Sequence, residues 1–124
     1  MKQLLIVGCG GFVGSVSRFV VGGWVHRLLP MTVFPIGTLV VNITGCFLIG
    51  LVGGVVEFQQ LLSPDARLFL LIGFLGGFTT FSSFAHETTT LARSGEFGQA
   101  LANVAAQVGL GLAAAWLGYV LTRS

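Results

Sequence analysis

No charged residue interrupts the chain between Phe34 and Val56, from Leu68 to Ala85, or from Phe97 to Leu121. A fourth apolar run, from about Leu4 to Val25, is interrupted only by Arg18. An α-helix needs about 20 mostly apolar residues to cross the hydrocarbon core of a bilayer. Charged residues make up 8% of the 124, against about 25% in a soluble domain, so the chain cannot give itself a water-compatible exterior. The expected fold is all-α: an integral membrane four-helix bundle forming one transmembrane domain over residues 1–124. Its spans fall at about residues 4–25, 34–56, 67–90 and 97–121. Period-two alternation is absent, which argues against a lipid-facing β-barrel.

The connections are short. Pro30 lies in the first and Pro64 in the second, while Arg93-Ser94-Gly95-Glu96 forms the third. Ser63-Pro64-Asp65 is helix-start chemistry for the third span. At the N-terminus, Lys2 followed by an apolar run ending at Cys9 imitates a signal peptide with a lipoprotein cleavage box. The stretch between them is shorter than an ordinary apolar signal region, and the run continues past the cysteine. It is read as a retained first span. Cys9 and Cys46 both fall inside apolar segments, so they are expected to be buried, reduced packing residues. Asn42-Ile43-Thr44 matches a glycosylation acceptor but lies mid-span. The basic residues are scattered singly, giving no footprint for nucleic acid.

Charge says little about orientation. Four spans put Lys2, Arg67 and Arg123 on one side of the membrane and Arg27 and Arg93 on the other, with Arg18 joining them if it snorkels that way. The bias of Lys and Arg toward the cytoplasm normally sets topology, and here it has almost nothing to act on. Insertion in both orientations, and with it an antiparallel homodimer, is physically natural; a single orientation set by a weak bias is the other possibility.

Glycine supplies 19 residues, concentrated in the spans. Gly10/Gly14, Gly50/Gly54 and Gly73/Gly77 have the spacing that lets membrane helices approach closely. The third span holds the most unusual stretch, Gly73-Phe74-Leu75-Gly76-Gly77-Phe78-Thr79-Thr80-Phe81-Ser82-Ser83-Phe84. Paired glycines followed by β-branched threonines make a poor helix interior, so a broken third helix is expected. Lipid cannot satisfy the amides and carbonyls that a break exposes, and such breaks persist where they line water or hold an ion. The alternative is a glycine-kinked helix whose hydroxyls bond back to its own carbonyls.

Phe81 and Phe84 share a helix face, and their ring edges carry partial positive charge that suits an anion; packing is the ordinary use of such a pair. Ser82 and Ser83 add donors. Thr38 and Asn42 lie one turn apart in the second span, as do Asn103 and Gln107 in the fourth, on a face that continues to Gly111. Each pair serves either as interhelical glue or as a polar track. Arg18 stands about 24 Å along the helix from Lys2, near the far interface or in a wet vestibule. Glu87 continues the Phe81–Phe84 stripe as a cap, an ion-pair partner or part of a gate.

No Ser-His-Asp set, metal cluster or phosphate loop is present, and the carboxylates Glu57, Asp65, Glu87 and Glu96 all avoid span centres. An enzyme and a proton-coupled cation exporter are both disfavoured. Small four-helix multidrug exporters match in size but carry a glutamate in the first span, where this chain has Arg18. A non-transporting assembly subunit leaves the polar stretch of the third span unexplained.

Three elements together resemble the bacterial fluoride channels, the Fluc or CrcB family: Gly10-Gly11-Phe12-Val13-Gly14 with Arg18; Gly37-Thr38-Leu39-Val40-Val41-Asn42 with Gly45; and Gly73-Phe74 through Phe84. The likeness covers essentially the whole chain. It implies a fluoride-selective channel in the cell's inner membrane that exports cytoplasmic fluoride passively. It further implies an antiparallel dual-topology homodimer with two pores at the subunit interface. Phe81 and Phe84 then form the aromatic box, with Asn42 beside them and Ser82, Ser83 and Thr38 among nearby polar groups. The backbone carbonyls of Gly76 and Thr79 hold a central structural Na⁺. Arg18 and Glu87 match the family's first-helix arginine and the acid that follows the phenylalanine motif. One departure stands out, because the family's fourth helix usually presents hydroxyls, where this chain has Asn103, Gln107 and Gly111.

Overall fold

The computed structural model describes residues 1–123. Helix α1 (Lys2–Leu28) ends with His26 and Arg27 in its last turn, favourable beside the partial negative charge of a helix C-terminus. Helix α2 (Ile36–Gln59) closes with a π-helical stretch from Val55 and stops where Gln60 turns left-handed, at φ 51°. Ser63 then caps α3 (residues 64–78): its Oγ accepts from the Ala66 amide at 3.2 Å, and Pro64 occupies the first turn, where it costs no hydrogen bond.

From Leu68 to Leu75, α3 is π-helical. The helical path then ends at Phe78, because Thr79 (φ −84°, ψ 157°) and Thr80 (φ −150°, ψ 113°) are both extended. Helix α4 (Phe81–Arg93) starts immediately after and turns through Gly95, at φ +82°, into α5 (Phe97–Leu121). No strand occurs among the described residues. α1, α2, the combined Pro64–Arg93 segment and α5 are each long and apolar enough to cross a membrane.

Packing explains the glycines. α1 runs against α3, and α2 runs along α5. A methyl at Gly10 would lie 2.6 Å from the Phe69 carbonyl oxygen and 2.9 Å from the Gly73 Cα, so main chain meets main chain there. Gly14 faces the Phe74 carbonyl in the same way, Gly77 faces Gly11, and Gly50 and Gly118 are pressed against the Ala115 and Phe47 carbonyls across the α2–α5 seam. Large apolar side chains contribute little interior: Val41, Leu75, Phe78 and Leu91 are buried, while Phe12, Phe19, Trp24 and Trp116 are exposed. An exterior this apolar suits lipid or protein contact rather than water.

Cys46 packs beside Gly111, with its sulfur 3.4 Å from where that residue's Cβ would stand. Cys9 corrects the expectation of burial. It is exposed on the outer face of α1, since only Gly10 and Gly14 turn fully into the α3 seam. Both cysteines are reduced. Near the membrane surface, Lys2 pairs with Asp65, tying the start of α1 to the start of α3. At the same end of the bundle, Tyr119 lies between Phe58 and Trp116, and Arg123 sits 5.9 Å over the Phe58 ring. Aromatic residues and a snorkelling arginine are the usual companions of the lipid headgroup region.

Candidate functional site

The interruption at Thr79–Thr80 leaves main-chain groups in need of partners, and neighbouring helices supply them. The Thr80 amide would close the next helical turn onto Gly76; it donates instead to Asn42 Oδ1 at 2.9 Å. Asn42 Nδ2 returns a bond to the Thr80 carbonyl at 3.0 Å and gives a second to Gln107 Oε1 at 3.1 Å. Arg18 reaches from α1 to donate to the Thr79 carbonyl at 3.1 Å. Two helices, α1 and α2, thus reach the two extended residues directly, and α5 reaches them through Asn42.

Hydroxyls complete the local structure. Thr79 Oγ1 bonds back to the Leu75 carbonyl at 2.8 Å, as expected of a kinked helix, while Thr80 Oγ1 accepts from the Ser83 amide as the cap of α4. The Thr80 hydroxyl also lies 3.2 Å from Ser82 Oγ and 3.0 Å from Ser83 Oγ. Immediately beyond, Phe81 and Phe84 meet edge to face, with ring centroids 5.3 Å apart and planes at 67°. Phe81 is 78% exposed, so its ring faces outward instead of filling the bundle.

Two open clefts flank the interruption. One, of about 290 Å³, is lined by Asn42, Thr79, Thr80, Phe81, Phe84 and Gln107. The other, of about 600 Å³, is lined by Arg18, His26, Thr38, Thr80 and Ser83 among others, and Arg18 gives it cationic character. Thr38 donates to Glu87 Oε1 at 2.6 Å, joining α2 to α4, and the other oxygen, Oε2, is buried with no partner among the described residues. In α5, Asn103 is completely buried and donates to Thr88 Oγ1 at 2.9 Å.

The structure therefore gathers Arg18, Thr38, Asn42, Thr79, Ser82, Ser83, Phe81, Phe84 and Gln107 around one interruption, while Glu87 lines neither cleft and joins the group only through Thr38. Asn103 lies one turn along α5 from Gln107 and lines neither cleft. Gly76 is exposed, and a methyl there would meet nothing closer than 4.0 Å. Two participants were not singled out from the sequence. Thr80 is the hub through its main chain, a role that only its position before Phe81-Ser82-Ser83 hints at. Thr88 is one of three consecutive threonines with nothing to distinguish it. No group of three His, Cys, Asp or Glu side chains capable of holding a metal occurs among the described residues.

Four membrane-length apolar helices, with polar groups converging on an interruption in the third, define a small multi-pass membrane protein. The family model described as "CrcB-like protein, Camphor Resistance (CrcB)" matches residues 5–119. The chain belongs to this CrcB-like family. It is 47% identical over 123 residues to a protein of Solibacter usitatus named "Fluoride-specific ion channel FluC", covering 99% of each chain. Relatives of the same name occur in Geobacter sulfurreducens, 46% identical over 99% of this chain and 98% of the relative, and in a Sulfurovum species, 43% identical over 97% and 93%.

Proposed function

We propose that this chain is a fluoride-selective channel, not an enzyme, and that it lets cytoplasmic fluoride leave the cell passively across the inner membrane. The names of its relatives support the ion. The observation that carries the reading is the edge-to-face pair of outward-facing Phe81 and half-buried Phe84 beside the Asn42–Thr80 connection. Positively polarised ring edges, hydroxyls and amides are donors of moderate strength arranged along one wall. Fluoride is small and strongly hydrated, so a path must replace its water with such donors, and several weak sites permit exit as well as entry. Arg18 makes the neighbouring cleft attractive to an anion arriving from water.

The working unit in this reading is an antiparallel dual-topology homodimer with two pores along the interface. The exposure of Phe81 supports it, because a pore wall open to lipid on one side conducts nothing and a second copy closes it. The balanced basic residues permit both orientations. Ser82 and Ser83 supply further donors, while Asn42 and Gln107 carry the polar wall and Thr38, whose hydroxyl hydrogen goes to Glu87, holds that carboxylate in place. Asn103 and Glu87 bear on the pore through the groups they hold.

A central structural Na⁺ also fits the residues present. The Gly76 carbonyl is released from the helical ladder, because the Thr80 amide bonds to Asn42. Thr79's carbonyl accepts from Arg18 and keeps a second lone pair. Neutral oxygens suit a monovalent cation, and a second copy would contribute the matching pair. When bound, the ion supplies positive charge where the two interruptions meet.

The test is fluoride efflux from liposomes holding the purified chain, followed with an electrode and with chloride as control. Rapid fluoride loss without chloride leakage is expected. Absence of fluoride flux from folded dimers would overturn the reading.

A further inference from the structure

The orientations of three side-chain amides near the interruption follow from main-chain groups alone. The Thr80 N–H can only donate, so the Asn42 atom facing it is oxygen and the other is NH₂. That NH₂ donates to Gln107, so the Gln107 atom in contact is its oxygen, and its own NH₂ is left over. On the other side, the single hydrogen of the Thr88 hydroxyl goes to the Phe84 carbonyl at 2.7 Å. Thr88 therefore accepts from Asn103, which must offer NH₂ and is left with a carbonyl oxygen. The leftover ends, Gln107 Nε2 and Asn103 Oδ1, are both buried and have no partner among the described residues, and Asn103 is 0% exposed.

A donor and an acceptor thus remain one helical turn apart on one face of α5. Side chains at this spacing are neighbours on the helix surface, and one water molecule joins two polar atoms that lie up to about 6 Å apart. Buried polar atoms normally have partners, and ordered water supplies them where protein does not. A halide has only lone pairs, so it satisfies the Gln107 end and is repelled by the Asn103 oxygen.

We infer that a resident water molecule bridges Gln107 Nε2 and Asn103 Oδ1. It accepts from the first and gives one hydrogen to the second. Its other hydrogen is available toward the cleft that Gln107 lines. This water stands where a hydroxyl side chain would otherwise present a donor, so amides at these positions build the polar wall in two pieces. The site does not depend on which ion crosses; its consequence for flux rests on the fluoride reading above.

The experiment is a high-resolution crystal structure of the full chain grown with bromide, paired with an efflux cycle. Expected is density without an anomalous signal, within about 3 Å of both atoms. Gln107→Leu and Asn103→Leu should each slow fluoride efflux by about tenfold, with the double variant no slower than either single one, since all three lose the same water. A bromide peak at Gln107, a direct Gln107–Asn103 bond, or no density would overturn the inference. So would Asn103→Leu conducting as fast as the parent or faster, or effects that multiply. If either leucine variant fails to elute as folded protein, the density of the parent chain decides. If the parent passes no fluoride, the channel reading fails while the density still tests the water.

Discussion

The Asn42 carboxamide closes both main-chain hydrogen-bonding groups of Thr80, accepting from its N–H at 2.9 Å and donating to its carbonyl at 3.0 Å. One side chain from α2 thereby imitates the strand partner that the extended residue lacks, in a setting where lipid offers no substitute. The interruption in the third span is a supported element of the fold, and Asn42 is its main support.

Replacing Asn42 with Ala should therefore cost stability before it costs anything else. Two backbone groups would lose their partner, at about 2–4 kcal/mol in total. Asn42→Asp keeps the acceptor for the Thr80 amide but sets a carboxylate against the Thr80 carbonyl and Gln107, so it should do no better. Thermal unfolding in detergent, followed by loss of the folded elution peak, measures both.

Phe81 leads to the opposite expectation. Its ring is largely exposed in the chain, so Phe81→Ile should leave the unfolding midpoint almost unchanged. Aromatic-edge contacts are worth about 0.5–1.5 kcal/mol, so the loss of fluoride efflux should reach about tenfold. Equal efflux from the variant at equal protein content would remove Phe81 from the pathway.

The α1–α3 seam should tolerate no added atoms. In Gly14→Ala the new methyl would meet the Phe74 carbonyl, rigid main chain that cannot rotate away, so destabilisation of about 3 kcal/mol is expected, at the upper end for overpacking. Gly98→Ala has open space around it and sits within α5, so it should be neutral or stabilising by up to about 1 kcal/mol. The difference in unfolding midpoint between the two variants checks the seam.

Topology is open to test by charge. Gln59→Lys with Gln60→Lys adds two positive charges at the exposed end of α2 and the start of the second connection, and should fix one orientation. If the working unit is antiparallel, that variant alone should lose efflux. Activity should return on co-expression with a chain biased the other way by Met31→Lys and Ser94→Lys. Full activity from a single fixed orientation would exclude the antiparallel unit.

Much of this was legible in the residues because lipid leaves so few options. The uncharged runs marked the helices to within a few residues, Ser63-Pro64-Asp65 marked the start of α3, and Gly10/Gly14 and Gly73/Gly77 marked a close seam. The π-helical course of Leu68–Leu75 was not legible, since π and α turns share the same apolar composition. The partners of Asn103 and Gln107 were hidden as well. A one-turn spacing shows that two amides share a face but not which atom each presents, and that depended on Thr80 and Thr88 across the bundle.

The glycine seam also determines what can move. Where Gly10 lies against Gly73 and Gly11 against Gly77, sliding either helix by one residue would drive a Cβ into a carbonyl, so α1 and α3 form a fixed frame. Displacement of these two helices against each other, a motion of microseconds to milliseconds, is thereby suppressed, while exposed side chains still turn on picoseconds to nanoseconds. On the α1–α3 side of Thr80 the changes left available are as quick, and as small, as the turn of a side chain.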